Sequence, residues 1–242
     1  FDMSTNLQLR KSLSMLAGAA VALPFSSFAA PEVPAPPGKN PQGPVGKPFD
    51  RIEPPVQADI NRIRFLFSYD CPYCRSYHNG LVQWGSTLPK PLTFDSVPLI
   101  TNVDNDNLSF AVLGRLIGQA VEPKILPVYD FTMYAMLQGD PDQGTPPKAN
   151  ITITDVLRAL VTSGANGKAI QQYLTGKGKG IENRLPAHAQ LVKTYKLTVT
   201  PSVSLVGRYV VTPDHVLSDA NQYLMLLNGM VSRIIQGGHN AL

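Results

Sequence analysis

A short apolar segment that runs directly into two cysteines constrains this 242-residue chain more than any other feature. Residues 62–68 have the sequence RIRFLFS, a pattern that predicts a buried strand. The tetrapeptide Cys71-Pro72-Tyr73-Cys74 follows two residues later. Pro72 suits the first turn of a helix, where its missing N–H would have no partner. The sequence therefore predicts that Cys71 lies where a buried strand ends and a helix begins.

This position suits Cys71 to thiol–disulfide exchange. The reactive species is the thiolate, and the free N–H groups and dipole at a helix N-terminus stabilise a negative charge. Two intervening residues place Cys74 one helical turn further on, close enough to attack a mixed disulfide formed at Cys71. We therefore expect Cys71 to be exposed and nucleophilic, and Cys74 to be more buried and to act as the resolving cysteine.

Other uses of the cysteine pair fit less well. A two-residue loop gains little from a structural disulfide. Zinc would need two further ligands, but the chain has no other cysteine and His78 could supply only one ligand. Covalent haem attachment needs histidine directly after the second cysteine, where this chain has Arg75. The pair therefore predicts redox chemistry carried by the two sulfurs, with no metal or other cofactor. We interpret His78 as a core or groove histidine rather than as a proton shuttle.

The charge distribution argues against a nucleic-acid partner. The 21 Lys and Arg residues exceed the 17 Asp and Glu residues by only four. They are scattered as singles and pairs rather than gathered in a run. A mildly basic surface that aids solubility is the better interpretation.

The first 29 residues have the layout of a secretory signal peptide. Two basic residues precede an apolar stretch at 13–23, Pro24 ends that stretch, and the small residues Ser27 and Ala29 suit cleavage next to Ala29. An uncleaved membrane anchor is the alternative, although a spanning helix needs about 20 apolar residues. In either case we expect the folded part to lie outside the cytoplasm.

A proline-rich segment follows at residues 30–58. Nine of the chain's 22 prolines fall there, with glycines between them. Proline breaks helices and is confined to the edges of sheets, so this composition predicts an extended linker or a strap along the surface. The segment is too short and too proline-rich for a dimerisation domain, and we expect a monomer.

Two separate motifs resemble the DsbA family, bacterial periplasmic oxidases that introduce disulfides into exported proteins. Residues 65–68 and the Cys71–Cys74 motif resemble the family's active-site strand and helix. Residues 197–209, LTVTPSVSLVGRY, resemble the family's cis-proline loop, which faces the cysteines.

The resemblance implies that this loop holds a substrate's backbone beside the Cys71 sulfur. Pro201 would then act together with the two cysteines. Pro72, Tyr73, Val199 and Thr200 would line the substrate groove.

The resemblance also implies an α/β fold, a thioredoxin-like sheet with an inserted α-helical subdomain. Residues 92–99 predict a second strand, and helical spacing runs from Asn107 to about Lys196, with Thr154 as a plausible N-cap and a helix over 182–196. Residues 218–235 suit a C-terminal helix. The expected organisation is a signal peptide over 1–29, a linker over 30–58, a DsbA-like domain over 59–236 with a helical insertion at about 104–196, and a tail over 237–242.

Four positions depart from the strongest oxidases of that family. Phe65 replaces a buried glutamate, Tyr73 replaces a histidine, and Thr200 is typical of disulfide isomerases. Asp70 adds a negative charge beside Cys71, which should disfavour its thiolate. We therefore expect a redox potential between those of the reducing thioredoxins and the strongest oxidases.

The functional hypothesis is an exported oxidase whose Cys71–Cys74 disulfide passes to exported proteins with free thiols. A membrane redox partner would then reoxidise the pair, as in the family. Two alternatives stay open. One is a disulfide isomerase or reductase, and the other is a non-catalytic peptide-binding factor in a secretion or surface-assembly apparatus.

Overall fold

The computed structural model describes residues 47–242 of the chain. The predicted signal peptide and most of the predicted linker lie outside the described residues. The five strands are β1 (Asp50–Arg51), β2 (Arg62–Phe67), β3 (Thr93–Pro98), β4 (Ser202–Leu205) and β5 (Tyr209–Val211). The α-helices of the described part are α1 (Pro72–Ser86), α2 (Asp106–Val121), α3 (Leu126–Gln138), α4 (Ile153–Thr162), α5 (Gly167–Thr175), α6 (Leu185–Thr194) and α7 (Ala220–Gly237).

The strands form one mixed sheet in the order β1-β5-β4-β2-β3. β2 and β3 are parallel and are joined through α1, whereas β4 pairs antiparallel with both β2 and β5. β2 therefore has a neighbour on each side and is covered on both faces. This explains why its second half, Phe65–Phe67, is continuously apolar and buried.

Alternate residues of β2 belong to two different cores. Ile63, Phe65 and Phe67 are fully buried in the larger core, which α1, α2, α3 and α7 share. Leu66 points to the other face, where a smaller core includes Tyr195 just beyond the end of α6. Each such side chain stabilises the fold by about 1.5–3 kcal/mol when it leaves water.

The five helices between β3 and β4 form the helical insertion, in which α2 is the central element. Gly114 of α2 permits this packing, because a Cβ atom there would overlap the Tyr129 hydroxyl and a methyl group of Val156. These contacts come from α3 and α4, so α2 can pack closely against both helices at that point.

The structure places the end of the proline-rich segment in the domain. β1 pairs antiparallel with β5, and Phe49 packs edge-on against Tyr209 with ring centroids 5.1 Å apart. Ile52 is also buried in the smaller core. The sheet thus begins before residue 59, because an edge strand of two residues can form beside prolines where a longer strand could not.

Three predicted helix boundaries differ from the structure. The N-cap of α4 is Thr152 and not Thr154: its hydroxyl accepts from the Asp155 N–H, and the Asp155 carboxylate accepts from the Thr152 N–H. The helix predicted over 182–196 is a 3₁₀ turn at Ile181–Arg184 followed by α6. The predicted helix at 218–235 begins at Ala220, with Asp219 as its cap.

Candidate active site

Cys71 is the N-cap residue of α1, and its backbone is extended with φ −89° and ψ 113°. Its sulfur accepts a hydrogen bond from the Cys74 N–H at 3.3 Å. Pro72 occupies the first turn, where no partner for its nitrogen is required. This local structure directs unsatisfied N–H groups of the helix towards the Cys71 sulfur.

The two thiols differ sharply in their surroundings. Cys71 is partly exposed, whereas Cys74 is fully buried. Hydrogen bonding, chiefly from the Cys74 thiol and then from the Thr200 side chain and the Cys74 and Tyr73 backbone, outweighs burial and lowers the pKa of Cys71 from 9.0 to about 7. Burial raises the pKa of Cys74 well above its usual range, and the adjacent Cys71 raises it further. Cys71 is therefore the thiol that ionises near neutral pH.

The loop before β4 closes over the Cys71 sulfur. The Thr200–Pro201 peptide bond is cis, and the Cys71 thiol donates to the Thr200 carbonyl oxygen at 3.2 Å. The Ser202 hydroxyl donates to the Val199 carbonyl oxygen at 2.7 Å, which holds the loop's turn. The structure thus brings Val199, Thr200 and Pro201 to Cys71 from the far end of the chain.

Two surface hollows flank this loop. The smaller, of about 130 Å³, lies between the loop, the cysteine motif and the segment that precedes α7; its lining includes Tyr73, Val199, Pro201 and Pro213. The larger, of about 280 Å³, lies towards α6 and includes Val199 with Leu99 and Val192. Val199 is 38% exposed and lines both. The two hollows could receive alternate side chains of an extended peptide.

Asp70 is exposed, and its carboxylate accepts a hydrogen bond from the Ser68 hydroxyl at 2.5 Å. The thiolate of Cys71 was expected to be disfavoured by this charge. On balance the pKa of Cys71 is lowered by its hydrogen bonds with the Cys74 thiol, the Thr200 side chain and the backbone, and the opposing effect of the Asp70 charge stays a prediction. Water and salt screen an exposed charge such as Asp70, whereas the hydrogen bonds act directly on the sulfur.

A buried polar network lies beneath the cysteines, and the sequence analysis did not find it. Arg115 donates to Asp130 at 2.9 Å, Tyr69 donates to Asp130 at 2.5 Å, and His78 Nε2 lies 3.3 Å from the same carboxylate. Burial alone would raise the pKa of Asp130, but Arg115, then His78 and Tyr69, hold it below its usual range. The sequence signal that could have revealed this network is the presence of two charged residues, Arg115 and Asp130, on the apolar faces of predicted helices.

The fold and the paired cysteines define this chain as a thioredoxin-like protein with a helical insertion. No protein-family model and no curated protein matches its sequence. Solved structures of DsbA oxidoreductases do match its fold, so the resemblance seen in the sequence is confirmed at the level of fold.

Three of these structures show the extent of the likeness. The DsbA of Xylella fastidiosa superimposes with a TM-score of 0.61 at 18% identity, over 80% of this chain and 98% of that one. A DsbA of Pseudomonas aeruginosa superimposes with a TM-score of 0.63 at 16% identity, over 81% of this chain and 100% of that one. A Proteus DsbA with a non-covalently bound peptide superimposes with a TM-score of 0.59 at 14% identity, over 79% of this chain and 97% of that one. The chain has the DsbA fold.

Proposed function

We propose that this chain is an exported thiol–disulfide oxidoreductase that donates the Cys71–Cys74 disulfide to exported proteins with free thiols. The observation that carries the proposal is the asymmetry of the two sulfurs. Cys71 is accessible, caps a helix and has a pKa of about 7, whereas Cys74 is buried behind it with a raised pKa. A structural pair of thiols would need no such difference.

The reaction would pass two electrons from substrate to enzyme. A substrate thiolate attacks Cys71 Sγ of the oxidised pair, the Cys71–Cys74 bond breaks, and Cys74 leaves and is protonated. A second substrate thiolate then attacks the substrate sulfur of the mixed disulfide, and Cys71 leaves as a thiolate. The lowered pKa of Cys71 makes it a good leaving group.

The loop at Val199–Pro201 would hold the substrate during both steps. Its exposed Val199 side chain and the two flanking hollows offer contacts to an extended peptide beside the Cys71 sulfur. The Proteus DsbA structure contains a non-covalently bound peptide, which supports peptide binding by this fold. Such contacts would favour unfolded or loosely folded substrates.

The pKa of Cys71 supports the alternative of a reductase or isomerase. The nucleophilic cysteine has a pKa of about 7 in thioredoxin and about 3.5 in strongly oxidising DsbA. A value of about 7 in this chain therefore favours a weak oxidant. This agrees with the intermediate potential expected from the sequence, which stays a prediction.

Equilibration of the pair with glutathione redox buffers tests the direction of electron flow. A potential near roughly −120 mV would support disulfide donation, and one near roughly −270 mV would support a reductase or isomerase. Cys71→Ser should abolish both thiol oxidation and insulin reduction. Peptide binding without any exchange activity in the native protein would instead support the assembly factor.

Export to the periplasm, reoxidation by a membrane partner and action as a monomer belong to the same proposal. Across residues 47–242, no helix has the length and apolar character needed to span a bilayer. Expression of the full chain in a bacterium, followed by fractionation and mass measurement, tests export and cleavage next to Ala29. A cytoplasmic protein of uncleaved mass would contradict this part.

A further inference from the structure

The backbone carbonyl of Cys71 controls how α1 meets the Cys71 sulfur. Rotation about the Cα–C bond of Cys71, measured by ψ, turns this carbonyl and the helix together relative to the Cys71 side chain. The observed ψ of 113° directs the Cys74 N–H to the sulfur at 3.3 Å. A group that holds the carbonyl therefore also holds the N–H groups of the first turn against the sulfur.

The helix itself holds this carbonyl only weakly. The first hydrogen bond of α1, from the Arg75 N–H to the Cys71 carbonyl oxygen, measures 3.4 Å. Ordinary N–H···O bonds measure about 2.7–3.2 Å. Because a carbonyl oxygen can accept two hydrogen bonds, a second donor can hold this carbonyl more firmly.

Gln138, the last residue of α3, is that second donor. Its side-chain amide donates to the Cys71 carbonyl oxygen at 3.0 Å and to the Tyr69 carbonyl oxygen at 2.7 Å. Both partners can only accept, so the NH₂ group of the amide, and not its oxygen, faces them. One side chain thus fixes the backbone on both sides of Asp70, directly before the helix.

The end of α3 is in turn attached to the first turns of α1. The Arg75 guanidinium donates to the Gly139 carbonyl oxygen at 2.7 Å. Gly139 has φ +81°, and a Cβ atom there would lie 2.7 Å from the Thr145 carbonyl oxygen, so this turn requires glycine. Gln138 therefore donates from a position that is itself fixed relative to α1.

We propose that Gln138 is a positioning residue for the reactive sulfur: it holds the Cys71 carbonyl so that the first turn of α1 stays directed at Cys71 Sγ. Gln138 contacts the backbone of Cys71 and acts on the sulfur through it. The helical insertion thereby takes part in the chemistry, because the amide comes from α3. This inference rests on the proposed exchange activity and names a residue that serves it.

The side chains that influence the Cys71 sulfur are separate from this contact. Among the described residues, the Gln138 side chain bonds only to the two backbone carbonyls. A change at Gln138 therefore alters the hold on the backbone and removes no charge from the site. The charged and titratable side chains that border the site are Asp70 before α1, Tyr73, Cys74 and Arg75 of α1, Tyr134 of α3 and Asp214 before α7.

Gln138→Met tests the proposal, because it keeps the length of the side chain and removes both donors. The first turn should then stabilise the thiolate less. The pKa of Cys71 should rise from about 7 by about 1, which is comparable to the net contribution of one hydrogen bond. The measurement is the initial rate at which the reduced protein reacts with oxidised glutathione, followed from about pH 6 to about pH 9.5.

The rates of the variant and the native protein should cross as the pH rises. At about pH 6 the variant holds less thiolate, so its rate should be about threefold lower. At about pH 9.5 Cys71 is ionised in both proteins and the more basic sulfur is the better nucleophile, so the rate of the variant should be about threefold higher. Loss of folded or active protein would instead lower the rate at every pH.

A second variant and a control complete the test. Gln138→Glu keeps the shape of the side chain, but its carboxylate can only accept and its charge disfavours the thiolate, so the pKa of Cys71 should rise at least as far. Tyr129→Phe is the matched control, because Tyr129 is buried on the same helix and its hydroxyl donates to the Ala111 carbonyl oxygen at 2.8 Å. It should lower the stability of the protein in urea and keep the native pH profile.

The outcomes are distinguishable. A Gln138→Met profile that coincides with the Tyr129→Phe profile would overturn the role of Gln138 and leave the exchange activity intact. A rate lowered by the same factor at every pH would also overturn it. Failure of the native protein to react with oxidised glutathione would overturn the proposed function itself.

Discussion

The Cys71 thiol donates a hydrogen bond to the Thr200 carbonyl oxygen at 3.2 Å, although 129 positions separate the two residues. This contact joins the start of α1 to the loop before β4. It holds the nucleophilic sulfur against the backbone that would bind a substrate. The geometry of the site therefore depends on two ends of the domain meeting across β2 and β4.

The Cys74 thiol is the largest single influence that lowers the pKa of Cys71. Alkylation of Cys71 by iodoacetamide should follow a pH profile with its midpoint at about 7 in the reduced native protein. In Cys74→Ala the donor is lost, so the midpoint should move towards 9.0. An unchanged midpoint would show that the helix and Thr200 are sufficient. Circular dichroism would confirm that the variant is folded.

The lowered pKa of Cys71 also makes the stability of the reduced protein depend on pH. Between about pH 7 and pH 9 the folded protein holds the thiolate while the unfolded chain still binds the proton, so stability rises with pH. The contribution is fully present above pH 9, at most about 2–3 kcal/mol, and is lost as pH falls through 7. Urea unfolding of reduced native protein and of Cys71→Ser should diverge over this window. If the difference in the free energy of unfolding between the two proteins stayed constant from pH 7 to pH 9, the Cys71 thiolate would not contribute to stability.

We expect the Val199 side chain to affect disulfide exchange with peptide substrates but not with small thiols. Val199→Asp places a charge between the two apolar hollows, so we expect a rise in KM for a cysteine-containing peptide of about tenfold, equivalent to about 1.4 kcal/mol. Exchange with glutathione should stay near the native rate. Val161→Asp is the control, since Val161 is 50% exposed on α4. Equal effects of the two variants would exclude a substrate contact at Val199.

Arg115 should be important for stability because it compensates the buried charge of Asp130. Arg115→Met leaves that carboxylate without its cation and should cost about 3–5 kcal/mol in urea unfolding. Lys148→Met breaks the surface ion pair with Asp155, in which the lysine side chain is 45% exposed and the aspartate 11%, and should cost much less, because water screens the pair. A loss below that of the control would show that the network is not stabilised by Arg115.

The capping box of α4 can be tested by comparing the stabilities of two threonine variants. Thr152→Ala removes the hydroxyl that accepts from the Asp155 N–H and should destabilise the protein by about 1 kcal/mol. Thr154→Ala, within the first turn, should change stability much less. Thermal unfolding of the two variants measures the difference. If Thr154→Ala destabilised the protein more than Thr152→Ala, Thr154 would be the N-cap of α4 instead.

The sequence by itself determined the local features of this protein. A strand, a proline in the first helical turn and two cysteines one turn apart are set by neighbouring residues, as is the turn from β4 into β5 after Pro201. These features depend on periodicity and backbone preference, which act over a few residues. Together with the resemblance to the DsbA family, they were sufficient to predict the fold class and to select the residues of the candidate site.

Only the tertiary structure decided how those residues are tuned. The pKa values of Cys71 and Cys74 depend on burial and on Thr200, and the network of Asp130 combines side chains from three helices and a loop. The two-residue strand β1 forms only because β5 offers an edge. Each of these depends on groups far apart in sequence that meet in a region without water, where hydrogen bonds and charges act most strongly.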